Sequence, residues 1–360
     1  MSPVTTDPPA PSSQRALEVR PARPDDAAAC EAFVRAHPRA SFFHLPAWSR
    51  VVADVFGHAP CALTAWRGGR LAGVLPLSSC RAPLGAEALI SVPYAVYGGP
   101  LGDDDEVEAA LVRAAMAEAE RRGVRRLELR CERAPQVPGL VPHELYATFV
   151  RELPSDPAEV LARMPKKARA EARRGRDKHG LTLTEGDWYL DDLHRLFHQN
   201  KRALGSPGLP LDFFRGLARA FGRDVRVHVV HHAGQPVCAV MSFLWRGTCL
   251  AYYSGTRPGA DRELSASNFL YMALQEWCVR EGLTSFDFGR SRRDSGAFSF
   301  KEHQGFEARV LPYRLHLVRD REAPSFTPSN PRTAWLRETW SKLPPWACVR
   351  LSDLLAPYLP

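Results

Sequence analysis

Two halves of the chain run through the same order of segments, and this repetition constrains the fold more than any single motif. Leu17 to Arg20 reads as a strand, and Asp25-Asp26 then open an amphipathic helix to about Ala36, acidic where the helix dipole favours anions. Pro46 begins a short helix carrying Trp48, Val51, Val52 and Val55. Ala62 to Trp66 and Leu71 to Leu77 pattern as a hairpin around Gly68-Gly69, followed by a strand from Ala88 to Val92. Asp103 to Glu106 lead a helix to Arg122, and a strand from Arg126 to Arg130 closes the set. The order then recurs. Leu181 to Thr184 is a strand, Trp188 to Ala203 and Leu211 to Phe221 are helices, and Val225 to Val230 pairs with Val237 to Trp245. Thr248 to Ser254, a helix from Ser265 to Arg280, Ser285 to Phe288 and a last strand over Arg309 to Val318 complete it.

The repeat is one of pattern rather than residue identity. It predicts an α/β (α+β) protein of two tandem domains, each a mixed, mostly antiparallel twisted sheet flanked by helices. The expected boundaries are a disordered leader over 1–15, a first domain over 16–155, a second over 156–322 that carries the site, and an amphipathic helical tail over 323–360.

A chain of 360 residues is long enough for two cores. It holds no run of 18 apolar residues, which excludes a conventional membrane-spanning helix. Met1 to Gln14 is rich in Pro, Ser and Thr and lacks the basic-then-apolar order of a signal peptide, so a cytoplasmic location is expected. The eight cysteines are scattered without a Cys-x-x-Cys pair, as reduced core thiols are, and no metal is expected. His231-His232 reads as the end of a strand. A net charge of +8 favours an anionic partner such as a phosphorylated nucleotide, tRNA or anionic lipid.

The candidate site lies where Phe286-Asp287-Phe288-Gly289-Arg290-Ser291 ends a strand in a polar turn and Phe300-Lys301-Glu302-His303-Gln304-Gly305-Phe306 forms a short helix with a Gly-Phe exit. Lys301 can stabilise the oxyanion of an acyl-transfer intermediate, or shuttle a proton if burial lowers its pKa. Asp287 can take a proton from an attacking ammonium or orient Lys301; it can equally cap its own turn. Arg290 and Ser291 follow at the strand end as substrate-binding groups.

Eight basic residues crowd Arg163 to Lys178 against two acidic ones. Lys166, Arg169, Arg173 and Arg176 recur at helical steps and, with Lys167, form a stripe suited to the phosphates of an acceptor or of tRNA. The start of the Ser265 helix, with Arg262, Ser267 and Asn268, is the expected place for donor phosphates, because helix N-termini present free N–H groups. From Ser329 onward Trp335, Leu336, Trp340, Trp346, Leu354 and Leu355 alternate with Arg332, Arg337, Lys342 and Arg350 around Pro344-Pro345. Two such helices either pack on the body or lie at the inner face of the cytoplasmic membrane, close to a lipid-linked acceptor.

The segment Lys301 to Phe306 resembles the Tyr-Glu-Lys-x-Gly-Phe end of GNAT-type N-acyltransferases, with Lys301 at the position of their tyrosine. Phe42-Phe43-His44-Leu45-Pro46-Ala47-Trp48, Phe56-Gly57-His58, Val74-Leu75-Pro76-Leu77, Pro93 to Pro100, the basic run and the Lys301 segment occur in one order. Over residues 16 to 345 this set is similar to the FemAB-like proteins associated with exosortase (PEP-CTERM) and exopolysaccharide loci. The resemblance implies two GNAT-like domains and transfer of an acyl or aminoacyl group, from acyl-CoA or aminoacyl-tRNA, to an amine on an anionic sugar or lipid-linked glycan precursor. It also implies that Lys301 steadies the oxyanion and that His44, Trp48, Tyr94 and Tyr97 shape the acceptor cleft, with a core role for Trp48 and a helix-capping or strand-packing role for His44 left open. Tyr252 and Tyr253 end the strand that splays in GNAT folds to admit the donor, and Tyr253 is assigned to the catalytic set. Arg262 to Asn268 lacks the glycines with which GNAT enzymes approach a pyrophosphate. Two rivals stay open: an ordinary acetyl-CoA-dependent sugar N-acetyltransferase, and a non-catalytic subunit that recognises a polysaccharide precursor or an assembly partner.

Overall fold

The computed structural model describes residues 16–81, 87–324 and 331–360, with the side chains of 331–334 left aside; the leader expected over 1–15 lies outside the described residues. Helix limits follow local chemistry. Asp104 accepts from the Val107 N–H at 2.9 Å and starts the helix Asp105–Arg122, which Gly123 stops with a left-handed φ of 59°. Pro46 occupies the first turn of Pro46–Phe56, where its missing N–H costs nothing.

The first half builds two sheets. One has four strands in the order Leu17–Pro21, Leu63–Arg67, Arg70–Leu75, Leu101–Gly102; the other has six and contains Glu87–Ile90 paired in parallel with Arg126–Leu129. The second half forms one continuous six-stranded sheet in the order Val150–Glu152, Ser285–Asp287, Thr248–Thr256, Gln235–Trp245, Val225–His232, Thr182–Glu185. A small fourth sheet joins the halves, with Tyr146–Thr148 between Ser291–Arg292 and Arg309–Val310.

Strand exchange sets these domains apart from a boundary drawn at residue 155. Val150–Glu152 pairs with Ser285–Asp287 in the second sheet, while Arg314–Leu317 returns to the first half and pairs with Arg126–Leu129. A strand's partner is decided by register and free edges far away in sequence, which a local pattern does not carry.

One core also runs across both halves. Phe42, Phe43 and Trp48 of the first interlock with Phe213, Phe221 and Phe243 of the second, at ring centroid separations of 4.5 to 5.8 Å. The helices Leu190–Ala203 and Leu211–Phe221 therefore cover the face of the second sheet that looks toward the first half. The helices Pro157–Arg163, Lys166–Arg173 and Ala266–Arg280 cover the other face.

The tail forms two helices, Pro331–Lys342 and Pro345–Leu355, meeting at Pro344-Pro345. One face packs on the Leu190 helix region, with Cys348, Ser352 and Ala356 buried and Gly208 N–H donating to Ser352 Oγ at 2.9 Å. Trp346 and Leu354 stay 72% and 68% exposed. No helix among the described residues is long and apolar enough to cross a membrane.

Candidate active site

Thr248–Thr256 and Ser285–Asp287 pair in parallel only from Thr248/Ser285 to Leu250/Asp287. Beyond that point the longer strand runs on without this partner, paired only with Gln235–Trp245, as Gly289 bends its neighbour away with a left-handed φ of 65° that a side chain tolerates poorly. The gap is a cavity of about 610 Å³ walled by Lys201, Tyr252, Tyr271, Arg290 and Lys301 among others.

Lys301 lies buried on the helix Gly296–His303, whose start is capped by Ser295 Oγ accepting from Phe298 N–H at 3.2 Å. Its ammonium donates to the carbonyls of Phe288, Gly289 and Arg290 at 2.7, 2.9 and 3.3 Å, and sits over the rings of Phe149 and Phe288. Burial lowers its pKa to about 7, against the opposing pull of Asp287. The amine thus lines the cavity and at the same time clamps the turn that bears Arg290.

Asp287 sits behind this wall. One carboxylate oxygen accepts from Gly289 N–H at 2.6 Å and from Thr148 Oγ1 at 3.2 Å; the other accepts from the Tyr97 hydroxyl at 2.9 Å. Burial raises its pKa, and these donors work the other way. The turn-capping role weighed from sequence is realised in the geometry, and the carboxylate reaches the cavity only through Lys301 and the turn.

Arg290 stacks on Tyr146 with its guanidinium carbon 4.7 Å from the ring centroid, and Ser291 is buried opposite Ala147. Tyr252 and Tyr253 both touch the cavity. The Tyr253 hydroxyl, however, donates to the Tyr94 carbonyl at 2.7 Å, and its ring packs between Phe213 and Phe214. That placement is one of core and loop anchoring, unlike the catalytic one assigned to it from sequence.

At the expected donor end, Ser265 joins the helices Ala260–Leu264 and Ala266–Arg280 with a left-handed φ of 57° and donates to Glu171. The Ser267 N–H donates to Asp261 Oδ1 at 2.7 Å, and Asn268 Oδ1 accepts from Gln304 Nε2 at 2.6 Å. Arg262 is exposed. A carboxylate therefore already occupies the start of this helix, where a pyrophosphate was expected.

The basic stripe is on the surface. Lys166, Lys167 and Arg173 are exposed on the helix Lys166–Arg173, whose buried Ala168 and Ala172 face the core. A π-helical stretch over Arg174–Lys178 shifts the register, and Arg176 turns to Glu276 at 3.4 Å; Arg169 donates to the Ala162 carbonyl at 3.3 Å. None of these side chains lines the Lys301 cavity.

In the first half, His44 Nε2 bonds the Gly99 carbonyl at 3.0 Å, and burial pushes its pKa down to about 4, leaving it neutral. Trp48 Nε1 donates to the Pro93 carbonyl at 3.0 Å from full burial. Tyr97 hydrogen-bonds the second half through Asp287, and Tyr94, which takes the Tyr253 hydroxyl on its carbonyl, is the member of this set that lines the Lys301 cavity. His44 and Trp48 hold the loop beneath the cleft and stay out of it.

Lys201, Thr148 and Tyr271 were not legible as site residues. A lysine four residues after Phe197 on an amphipathic helix looks like any solvated lysine; what distinguishes Lys201 is its place on the cavity wall, which sequence does not display. Among the described residues no cluster of His, Cys, Asp and Glu has the form of a metal site.

Residues 162–302 match the acetyltransferase (GNAT) domain family. No curated protein matches the chain. Among solved structures, the crystal structure of FemX is similar at 13% identity, with 84% of this chain and 98% of that one covered and a TM-score of 0.62. A tandem GNAT protein from the clavulanic acid biosynthesis pathway is similar at 17% identity, covering 86% and 100%, with a TM-score of 0.52. The C-terminal domain (DUF2156) of a putative lysylphosphatidylglycerol synthetase from Agrobacterium fabrum is similar at 14% identity, covering 81% and 91%, with a TM-score of 0.50. The architecture is the tandem GNAT fold, and the match to the GNAT acetyltransferase family falls in its second half. Among relatives of this architecture, FemX is the structure most similar of these three.

Proposed function

We propose that the protein transfers an acyl or aminoacyl group to an amine on an anionic sugar or glycan precursor, as a FemAB-like enzyme of cell-surface polysaccharide synthesis. The observation that carries this reading is the splay beyond Leu250/Asp287, which opens onto a cavity walled by a buried lysine with a pKa near 7. An amine attacking an ester or thioester needs a pocket that excludes water, a positive field on the developing oxyanion and a place for a proton. Lys301 supplies the field; a hydrogen bond to the oxyanion requires that it release one of its three carbonyls.

The donor is an aminoacyl ester in preference to acyl-CoA. Asp261 on the Ser267 N–H repels a pyrophosphate at the helix start, and Ser265 carries a side chain where a close backbone approach is needed. The exposed stripe of Lys166, Lys167 and Arg173 suits the phosphates of a tRNA. The tail's exposed Trp335, Trp346 and Leu354 beside basic residues suit peripheral contact with the inner face of a cytoplasmic membrane, where a lipid-linked acceptor resides.

Mass spectrometry of surface polysaccharide from cells carrying the wild type or Lys301→Met tests the reading. A lost acyl or aminoacyl mass is the expected result; an unchanged polymer overturns it and leaves a non-catalytic binding subunit. Isothermal titration with acetyl-CoA and with aminoacyl-tRNA separates the donors, binding of the tRNA alone being expected.

A further inference from the structure

The first half holds a second cavity, at the seam between its two sheets. One bent hairpin feeds both. Leu63–Arg67 and Arg70–Leu75 pair in the four-stranded sheet, and the same chain segments extend into the six-stranded one as Ala59–Pro60 and Ser78–Arg81. Pro60 and Pro76 flank the bend, a place in a sheet where a residue without an N–H is tolerated. Two hydrophobic cores border the seam: Cys30 and Val74 belong to one, Leu63 to the other, and all three line a cavity of about 710 Å³. Burial pushes the Cys30 and Cys61 thiols on its wall up to about 11, as in a space that water reaches poorly.

The charges around this cavity are one-sided. Arg20, Arg23, Arg50 and Arg122 line it against one carboxylate, Glu118. Asp26 holds Arg20 through two bonds of 2.6 and 2.9 Å, and Glu118 holds Arg122 at 2.5 Å. Arg23 and Arg50, both exposed, make no ion pair among the described residues. The polar groups along the seam are engaged: Thr64 Oγ1 accepts from Trp66 Nε1 at 3.0 Å and donates to the Arg20 carbonyl at 3.3 Å, while the Ala22 and Cys61 N–H groups donate to the Ala62 and Leu77 carbonyls at 2.9 and 2.8 Å. A peptide laid here would bring an N–H and a C=O with each residue and find few partners. A hydrocarbon chain needs none and gains by burial. We infer that this seam binds a fatty acid, its chain buried between the two cores and its carboxylate at the exposed guanidiniums of Arg23 and Arg50 rather than beside Glu118. A space of this size suits one chain. No residue lines both this cavity and that of Lys301, so the site stands apart from the acyltransferase reading.

The probe is laurate, titrated calorimetrically into the full chain below its micellar concentration. One laurate is expected to bind per chain, with octanoate weaker by about two orders of magnitude, since each buried methylene contributes about fourfold. Cys61 reports the place. It is the one partly exposed thiol of the eight, and saturating laurate is expected to slow its labelling by N-ethylmaleimide about tenfold or more, read by peptide mass spectrometry. The double variant Arg23→Gln/Arg50→Gln alters exposed side chains only, so thermal unfolding should be unchanged while laurate weakens about tenfold. Ala114→Phe, which fills the space, is expected to abolish binding. Absent wild-type binding, binding that leaves Cys61 labelling unchanged, or equal affinity in the double arginine variant overturns the proposal, as does a folded Ala114→Phe that binds like the wild type. Preference for lauroyl lysophosphatidylglycerol over laurate overturns the free acid in favour of a membrane lipid's chain. No transfer is measured, so none of these outcomes depends on Lys301.

Discussion

Each half of the molecule has one loop clamped by a buried cation, and the two clamps differ in what neutralises them. In the first half, the Val92 to Gly99 loop carries Val92, Tyr94 and Tyr97 in left-handed conformations, strained for residues with a Cβ. Arg130 donates to the Val92 and Ala95 carbonyls at 3.4 and 3.3 Å, and Glu128 pairs with it at 2.9 Å. In the second half, Lys301 holds the Phe288 to Arg290 turn by three carbonyls, but no carboxylate touches it, and it borders a cavity. A neutralised clamp is a brace. An un-neutralised one at a cavity wall projects its field into the space where charge develops, and burial brings its proton equilibrium close to neutrality.

Breaking the first clamp gives the largest expected effect. Arg130→Met leaves the buried Glu128 with only Arg126 at 4.0 Å and frees the Val92 and Ala95 carbonyls, with an expected loss of about 3–5 kcal/mol in urea unfolding. Activity per folded molecule should stay near wild type. A variant as stable as the wild type dissolves the contrast between brace and active clamp.

The second clamp tests the other side. Lys301→Met is expected to lower transfer by about 10²-fold or more while costing less stability than Arg130→Met, since no opposite charge is orphaned. The pH dependence carries a definite sign. The folded pKa of about 7 lies below the unfolded lysine value of 10.5, so the unfolded chain binds more protons between the two. The burial penalty is fully present below pH 7 and is relieved as pH rises from about 7 toward 10.5, so stability rises over that window. Lys301→Met should lose this slope. As an oxyanion partner the lysine must be charged, so wild-type transfer, normalised to Lys301→Arg, falls as pH passes 7; a rise marks a base instead.

Tyr97 connects the two clamped loops, donating from the first to Asp287 behind the second. Tyr97→Phe removes one donor from a buried carboxylate, with an expected cost of about 1–3 kcal/mol and a further rise in the Asp287 pKa. Transfer should fall modestly through kcat, with KM little changed, because the hydroxyl supports the turn without lining the cavity. An equal fall through KM places Tyr97 in contact with substrate instead.

The unequal legibility of the two clamps has a physical cause. Lys301 stands out because a turn, a short helix and a Gly-Phe exit are local, and the capping of Asp287 on Gly289 N–H is a two-residue relation. The repeated segment order gave the paired layers for the same reason. Arg130 and Lys201 are hidden: one owes its role to carbonyls more than 30 residues away, the other to a cavity wall assembled from distant segments. The strand exchange between halves was likewise invisible, since Val150–Glu152 and Arg314–Leu317 look the same whichever sheet receives them. Tyr253, assigned to catalysis from its strand position, turns its hydroxyl to Tyr94, and a β-bulge at Tyr252 brings both tyrosines to the cavity, which strict strand alternation does not predict.

The tail sharpens the comparison at the smallest energetic scale. Its inner face behaves as the first clamp does, satisfied by Ser352 with Gly208 N–H and by the Arg202 guanidinium on the Leu343 carbonyl at 2.7 Å. Its outer face behaves as the second does, with Trp335, Leu336, Trp346 and Leu354 unpartnered among the described residues while Leu359 reaches the cavity wall. Trp346→Ala touches little of the body, so stability should move by no more than about 0.5 kcal/mol. If the outer face lies in a bilayer surface, co-sedimentation with phosphatidylglycerol vesicles should drop several-fold in that variant, with no change for the interior variant Tyr97→Phe. Equal sedimentation of Trp346→Ala and wild type would detach the tail from any membrane role and leave its exposed tryptophans as ordinary surface.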